Sequence, residues 1–287
     1  LRTAPGLEDL VRKEALSSLR AADPSASPVK GRSGRGWVEI APTLEADPAL
    51  LIRELHTVFR GLEVKARTDR GTSEAAAAAA DCARKGGFRE LRHRDAFRIT
   101  CYAPDEPSGS VRAVEQRVGE AAVSASGAPV NLTGATVNYG VEFCDGHIWY
   151  GPILKDEEDT SRYRKLFQVR SSLKAHIAAA MLDLVGFRSR PGTVLDPCCG
   201  SGTILMEAAA LHPGGRFYGC DIDPHCAEGA QKNLNALSRA DAGSRIYEGD
   251  ARALGDLFPA SSIDYIVTNP PFGIRTGKRL NFFAFYR

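Results

Sequence analysis

The feature that most constrains the fold is a glycine-rich turn between a predicted strand and a predicted helix in the last third of the chain. The strand covers Thr193–Asp196, the turn reads Asp196-Pro-Cys-Cys-Gly-Ser-Gly, and the helix covers Thr203–Leu211. Three further strands are predicted, with helical or loop segments between them, at 216–220, 244–247 and 263–268. Strands that alternate with helices predict a doubly wound parallel sheet, in which ligands bind beyond the carboxyl ends of the strands.

The composition of the turn indicates a nucleoside ligand. Gly200 and Gly202 allow a close backbone approach, and the following helix presents free N–H groups to an anion such as a carboxylate. Asp221, at the end of the next strand, can accept both hydroxyls of a ribose. Leu205 stands where a dinucleotide fingerprint needs glycine, and Asp196 suits an ammonium group rather than a pyrophosphate. The alternative is a tight turn with a purely structural role. Asp221, at the matching position after the next strand, argues against that alternative.

A second candidate group follows the last predicted strand, where the chain reads Asn269-Pro270-Pro271-Phe272. The two prolines fix φ and remove two N–H donors, which leaves rigid carbonyl groups. The Asn269 side-chain oxygen and the Pro270 carbonyl are two fixed acceptors, and such a pair suits an –NH2 group. Phe272 can stack on a planar ring. A proline-rich strand exit alone is more often a turn, but its position relative to the glycine turn predicts a site.

Together the motifs Asp-Pro-Cys-Cys-Gly-Ser-Gly-Thr and Asn-Pro-Pro-Phe-Gly resemble those of Rossmann-like S-adenosylmethionine-dependent amino-methyltransferases. The region Thr193–Arg279, with Ser171-Ser-Leu-Lys-Ala-His-Ile-Ala upstream, is similar to the subfamily that methylates guanine N2 in RNA. The N-terminal part resembles the usual companion of that subfamily, a ferredoxin-like domain followed by a THUMP RNA-binding domain. Its recognisable pieces are Thr3-Ala-Pro-Gly-Leu-Glu8 and a helix over Leu50–Arg60. The resemblance implies methyl transfer from S-adenosylmethionine, with S-adenosylhomocysteine as product, to a guanine in RNA, tRNA being the expected substrate.

The resemblance also implies roles for individual residues. The glycine turn would hold the methionine moiety of the cofactor, and Ser171–Leu173 would close that end. Asp221 would bind the ribose, Ile222 would flank the adenine, and Asp250 would meet the adenine amine. The implied cofactor-binding set is Asp196, Gly200, Ser201, Gly202, Asp221, Ile222, Asp250 and Ala251. The implied catalytic residues, which would hold a target base flipped out of its stack, are Asn269, Pro270 and Phe272.

Some relatives carry Asp or Tyr where this chain has Asn269 and Phe272. Asn is common where the target is an amine, whereas Phe keeps the stacking surface and loses a hydroxyl. No strong base is obvious near these residues.

The N-terminal part alternates helices and strands. Predicted elements include a helix that begins at Leu7, a strand over Trp37–Ile40, an amphipathic helix over Leu50–Phe59 and a hairpin with Asp145-Gly146 as its two-residue turn. The predicted organisation is α+β followed by α/β: a ferredoxin-like domain at 1–65, a THUMP domain at 66–155, a linker at 156–178 and a Rossmann-like methyltransferase domain at 179–287. The last domain has only four predicted strands where the family has about seven, so we expect the chain to be C-terminally incomplete.

The composition argues against several classes of protein. The 287 residues are 43% hydrophobic and 25% charged, with a net charge of +2, which argues against disorder. No apolar run is long enough for a membrane span or a signal peptide, and seven cysteines without paired spacings suggest a reducing compartment. We therefore expect a cytoplasmic protein, without a membrane partner, that acts as a monomer.

Two basic clusters are ambiguous. The first cluster could lie on an exposed helix or could contact RNA phosphates, and the sequence favours the two interpretations equally. It consists of Arg162, Arg164, Lys165, Arg170 and Lys174. RNA is favoured for the cluster Arg84, Lys85, Arg89, Arg92, His93 and Arg94, because the family places its RNA-binding domain there.

Several alternatives remain. Cys198, Cys199, Cys220 and Cys226 match no zinc spacing, so no metal is expected. The alternative functions are methylation of another amine (guanine N2 in rRNA, adenine N6 or a protein glutamine) and RNA binding without catalysis. The THUMP-like front part argues against an adenine or glutamine target, and the intact motifs argue against a non-catalytic protein.

Overall fold

The computed structural model describes residues 1–22, 33–40, 52, 55–71, 74–156, 163–237, 240–241 and 243–271. The chain divides into two compact units, Leu1–Asp156 and Glu157–Arg287. Each unit has its own hydrophobic core. Over the residues described, no helix combines the length and apolar character that crossing a membrane requires.

The first unit begins with helix α1 (Glu8–Ala22) and a hairpin of two short strands, β1 (Ser33–Gly34) and β2 (Trp37–Val38). Glu8 and Asp9 occupy the first turn of α1, where the helix dipole favours acids. Val11 of α1 is fully buried and packs in one cluster with Val38.

A five-stranded sheet and two helices are the other elements described in the first unit. Its strands are β3 (Arg60–Leu62), β4 (Ala66–Asp69), β5 (Phe97–Tyr102), β6 (Val137–Cys144) and β7 (His147–Asp156). The order is β3-β7-β6-β5, and β4 also pairs with β7. Only the β5–β6 pair is parallel among the pairs described. Helices α2 (Ala75–Gly86) and α3 (Ser108–Ser126) bury small side chains in the same core as the sheet.

The predicted Asp145-Gly146 hairpin turn is confirmed. Cys144 pairs with His147, and the two turn residues have φ of 47° and 75°. Positive φ at both positions is the requirement of a tight hairpin turn that matches the twist of the strands.

The predicted helix over Leu50–Phe59 is wrong at its C-terminal end. Residues 55–59 are irregular and Arg60 begins β3, while 50, 51, 53 and 54 lie outside the described residues. The Glu14 carboxylate of α1 accepts hydrogen bonds from the backbone N–H groups of His56 (2.6 Å) and Thr57 (2.9 Å). These bonds from another element take the donors that a helix would use, so the tertiary contact overrides the local pattern.

The second unit is a layered α/β structure. Its helices are α4 (Ala175–Leu184), α5 (Thr203–Leu211) and α6 (Pro224–Leu237), and a 3₁₀ helix covers Ala251–Asp256. Its strands are β8 (Val194–Asp196), β9 (Phe217–Asp221), β10 (Arg245–Glu248) and β11 (Tyr265–Ile266).

The predicted parallel sheet is confirmed, with the order β10-β9-β8-β11 and parallel pairing throughout the strands described. The chain moves outward from β8 through β9 to β10 and then returns to the other side of β8 as β11. The strand order therefore reverses beside β8, which is where open α/β sheets bind ligands. Fully buried side chains from both layers, such as Leu205 and Phe217, fill the core.

Candidate functional site

The glycine turn lies at the carboxyl end of β8, the strand beside which the order reverses. Gly200 and Gly202 have φ of 54° and 78°, a region that L side chains rarely adopt. Gly202 is the N-cap of α5, and a Cβ there would lie 3.2 Å from the Cβ of Ala230 on α6. Glycine is thus needed here both for the backbone conformation and for the close approach of two helices.

Asp221, predicted to bind ribose, lies directly beside this turn. Its Oδ2 accepts a hydrogen bond from the Gly200 N–H (2.8 Å), and its Oδ1 accepts one from the Asp223 N–H (3.0 Å). The Cys199 N–H also donates to the Cys220 carbonyl (2.9 Å). The ends of β8 and β9 are therefore joined, and each oxygen of the carboxylate has the capacity to accept a second hydrogen bond.

Asp196 ends β8 with only 2% of its surface exposed. Burial raises the pKa of its carboxyl to about 7, and a hydrogen bond from the Cys198 N–H offsets part of that rise. The Cys198 bond measures 3.2 Å. A buried carboxylate with few donors favours a cationic partner, because an ion pair would replace the lost hydration.

The remaining predicted cofactor residues follow β9 and β10. Ile222 is 72% exposed although it is a large apolar residue, and it comes directly after Asp221. Asp250 precedes the 3₁₀ helix that begins at Ala251, and its carboxylate caps that helix by accepting from the Arg252 N–H (2.9 Å). Hydrogen bonds from Arg252 lower the pKa of Asp250 to about 2. The Gly249 N–H donates to the Asp221 carbonyl (3.0 Å), which places these residues at one edge of the sheet.

The predicted target-base residues follow β11, which pairs with β8. Asn269 is exposed and Pro270 is half-buried, three and four residues after the strand ends at Ile266. Phe272 lies outside the described residues. Because β8 and β11 are parallel neighbours, the glycine turn and Asn269 leave the same edge of the sheet.

The sequence interpretation named Lys165, Ser172 and Ser201 but missed the hydrogen bonds that these polar side chains make behind the turn. Lys165 Nζ donates to Thr203 Oγ1 (2.7 Å), and the Oγ atoms of Ser172 and Ser201 lie 2.7 Å apart. Burial lowers the pKa of Lys165, and Glu207 offsets part of this effect. Lys165 is therefore held within its own unit by a hydrogen bond and does not lie on an exposed helix.

Asn233, also missed, is fully buried in α6. Its Oδ1 accepts from the N–H groups of Leu166 (2.7 Å) and Phe167 (2.9 Å), and its Nδ2 donates to the carbonyls of Phe167 (2.7 Å) and Ser201 (2.9 Å). A polar residue on the apolar stripe of an amphipathic helix is the signal that could have revealed it.

The seven cysteines are free thiols. Burial raises the pKa of Cys198 to about 12 and raises that of Cys199 further, so both stay protonated at neutral pH. In the part of the chain that the structure describes, no group of three His, Cys, Asp or Glu residues is arranged to hold a metal ion.

The donor set fits S-adenosylmethionine. A buried carboxylate suits the ammonium of its methionine part, and the N-terminus of α5 suits the carboxylate. Asp221 can accept from the ribose hydroxyls, and the exposed Ile222 offers an apolar surface for the adenine ring. The residues therefore supply a suitable partner for the ammonium, the carboxylate, the ribose and the adenine ring of this cofactor.

Comparison with known proteins agrees with this fit. Residues 162–287 match the family model described as "RMKL-like, methyltransferase domain". The chain is 35% identical over 294 residues to the tRNA (guanine(6)-N2)-methyltransferase of Thermus thermophilus, covering 99% of this chain and 81% of that protein. It is 31% identical to the tRNA (guanine(10)-N2)-dimethyltransferase of Methanocaldococcus jannaschii, covering 64% of this chain and 54% of that protein. The crystal structure of TrmN from Thermus thermophilus superposes with a TM-score of 0.72 and 30% identity, covering 99% of this chain and 81% of that one.

Fold, site and comparisons define a Rossmann-like S-adenosylmethionine-dependent methyltransferase. Within that class, the chain belongs to the family of RNA guanine-N2 methyltransferases. It spans four fifths of the Thermus relative and about half of the archaeal one.

Proposed function

We propose that this protein transfers a methyl group from S-adenosylmethionine to the exocyclic N2 amine of a guanine in tRNA. The observation that carries the proposal is the position of two motifs on neighbouring strands. The glycine turn follows β8 and Asn269-Pro270 follows β11, so the cofactor residues and the acceptor pair share one edge of the sheet. The similarity to a tRNA guanine-N2 methyltransferase along nearly the whole chain supports this substrate class.

The chain's own residues would bind and orient the cofactor. Asp196 would pair with the ammonium group, and Gly200–Gly202, with the first N–H groups of α5, would hold the carboxylate. Asp221 would accept from the ribose, while Ile222 and Asp250, beside Ala251, would contact the adenine. When bound, S-adenosylmethionine supplies a methyl group on a positively charged sulfur, which makes it an activated donor.

Asn269 and the Pro270 carbonyl would accept hydrogen bonds from the two N–H groups of the target amine. These bonds orient the nitrogen lone pair toward the methyl carbon. The methyl group would pass to this nitrogen with its former bonding pair left on the donor, and the nitrogen would lose one proton to solvent. The contribution of the chain is mainly positioning, and we propose that Phe272 stacks on the flipped base.

We propose that the first unit binds the RNA and contains a ferredoxin-like domain at 1–65 and a THUMP domain at 66–155. Exposed basic residues at the end of α2 and in the loop after it form what we call the basic surface: Arg84, Lys85, Arg89, Arg92, His93 and Arg94. Within this surface Arg84 is paired with Asp81, and nearby Glu90 is paired with Lys65 (2.9 Å). We further propose a cytoplasmic monomer, to which the free thiols are suited.

Nucleoside analysis tests the proposal. The full-length protein is incubated with S-adenosylmethionine and unmodified tRNA, and the digested RNA is examined by mass spectrometry for N2-methylguanosine. We expect the modified nucleoside with the wild-type protein and its near absence with Asn269→Ala.

Parallel incubations distinguish the other functions. Methyl transfer to ribosomal RNA, to adenine or to a protein glutamine, without transfer to tRNA, would replace the proposal by the corresponding alternative. Absence of S-adenosylhomocysteine binding by calorimetry would point to an RNA-binding protein without catalysis.

A further inference from the structure

A segment without regular secondary structure, residues 163–174, precedes α4 and lies against the same unit. From 163 to 170 its residues alternate between half-buried and exposed, so that Lys165, Phe167 and Val169 face inward. This alternation continues without the ladder hydrogen bonds of a strand. Side-chain partners from other elements must therefore hold the segment in place.

Two contacts place the segment against the glycine turn. A Cβ built on Gly200 would lie 3.8 Å from Val169 Cγ2, which is van der Waals distance. The hydroxyls of Ser172 and Ser201 are 2.7 Å apart, and Ser201 has only 2% of its surface exposed. The segment thus forms a wall beside the turn that holds the cofactor's methionine part.

A third contact anchors the segment on α6. The ring of Phe167 fills the space beside Gly229, where an added Cβ would come within 2.2 Å of the ring. One turn further along α6, Asn233 makes two hydrogen bonds to Phe167 and one to Leu166, and its fourth bond goes to the Ser201 carbonyl. One fully buried amide therefore bonds both the wall and the turn.

We propose that Asn233 is a positioning residue that docks residues 166–172 beside the glycine turn and thereby sets the affinity for S-adenosylmethionine. Asn233 does not touch the cofactor in this scheme, because its four hydrogen bonds use its amide fully. The inference rests on the proposed function, since it assumes that the turn binds this cofactor.

The expected effect follows from the population of the docked segment. If the segment is docked in only a tenth of the molecules, the apparent affinity for a ligand that needs the wall falls tenfold. Once the ligand is bound at saturating concentration, the wall is in place and the rate of transfer is little changed. The signature is therefore a change in KM and in Kd with a nearly constant kcat.

The test compares Asn233→Asp, Asn233→Ala and a matched control. The Asp variant keeps both acceptor bonds and loses at least one of the two donor bonds, and it retains the side-chain volume if the Ala variant fails to fold. Asn235→Ala changes the same residue type two positions along α6, where the side chain is exposed and accepts a hydrogen bond from Gln231 (2.9 Å). Each protein is examined by S-adenosylhomocysteine calorimetry, by hydrogen exchange of the Leu166 and Phe167 amides without ligand, and by steady-state methyl transfer.

We expect the Asn233→Asp variant to bind S-adenosylhomocysteine about tenfold more weakly than wild type, with amide exchange at least tenfold faster and kcat within threefold of wild type. The Asn235→Ala control should match wild type in all three measurements. Unchanged calorimetric affinity, with or without faster exchange, would overturn the inference and leave the proposed function standing. Failure of the wild-type protein itself to bind S-adenosylhomocysteine would overturn the proposed function and the inference with it.

Discussion

At Asp196 the proposed role of binding a cation conflicts with the stability of the core. The folded-state pKa of about 7 lies above the ordinary 3.8, so the folded protein binds more protons than the unfolded chain between those pH values. The free energy of unfolding therefore falls as pH rises from about 4 to about 7, by at most about 4 kcal/mol.

Replacing the Asp196 carboxyl by an amide should remove this loss of stability at higher pH. We expect Asp196→Asn to be more stable than wild type at pH 8, by up to about 4 kcal/mol, with a smaller difference at pH 5. Urea unfolding at both pH values, without ligand, measures the difference. A variant less stable than wild type at pH 8 would contradict this account.

Asp196 also leads to a prediction about ligand binding. The ionised carboxylate is the form that pairs with an ammonium group, so S-adenosylhomocysteine should bind more tightly to wild type as pH rises from 6 to 8. In Asp196→Asn this pH dependence should be lost and binding should be at least tenfold weaker at pH 8. Calorimetry at three pH values measures the affinity of each protein for S-adenosylhomocysteine and shows whether its pH dependence differs between them.

Asn269 should matter for transfer and not for folding. Its side chain is exposed, so Asn269→Ala should change the free energy of unfolding by less than about 0.5 kcal/mol. Loss of one acceptor for the target amine should lower kcat roughly 100-fold, by analogy with removal of a single transition-state hydrogen bond. The measurement is single-turnover methyl transfer, with S-adenosylhomocysteine affinity as the control that should stay constant. Transfer within threefold of wild type would remove Asn269 from the proposed mechanism.

At the level of elements, the pairing of strand β7 requires glycine at position 151, although the backbone φ there is not positive. Strand β7 pairs with both β3 and β4, and the backbone between those strands passes directly over Gly151. A Cβ on Gly151 would lie 1.8 Å from the Glu63 carbonyl oxygen and 3.1 Å from the Lys65 nitrogen. The neighbouring backbone would have to move before any side chain could fit.

We expect Gly151→Ala to destabilise the first unit by about 3 kcal/mol, since the clash is with backbone rather than with a flexible side chain. Gly146→Ala in the same hairpin is the matched control. Nothing lies within 4 Å of its added Cβ, so only its φ of 75° should cost stability, about 1 kcal/mol. Thermal unfolding of both variants measures the difference, and equal losses would disprove the steric explanation.

Sequence patterns predicted the elements whose signals are local. The two-residue turn at Asp145-Gly146 and the α5 helix after Gly202 depend on residues within a few positions of each other. The end of the predicted helix at 55–59 was wrong because Glu14, some forty positions earlier, bonds its backbone. The position of Asn233 on the apolar stripe of α6 signals its burial, but its partners lie 32 to 67 positions away and could not be predicted locally.

At the level of the whole molecule, a net charge of +2 gives little long-range attraction for RNA. Affinity must then come from local features such as the basic surface. If four phosphates are neutralised, tRNA affinity should fall roughly 100-fold between 50 and 200 mM salt.

A triple variant tests whether the basic surface supplies these contacts. Arg89→Ala, Arg92→Ala and Arg94→Ala together should weaken tRNA binding. The slope of log affinity against log salt should become shallower by the equivalent of about two to three phosphate contacts. Lys232→Ala is the control, because that exposed lysine of α6 is already paired with Glu228 (2.6 Å). An unchanged salt dependence in the triple variant would locate the RNA contacts elsewhere.

The hydrogen bonds of Asn233 also impose an order on the maturation of the chain. They connect α6 to residues that precede it by 66 and 67 positions. At a synthesis rate of about 5–20 residues per second, residues 166 and 167 are made roughly 3–13 seconds before their partner. The first unit is by then completely synthesised, whereas the wall of the glycine turn still lacks its anchor. A growing chain can therefore complete its proposed RNA-binding part before α6 anchors the wall of its proposed cofactor pocket.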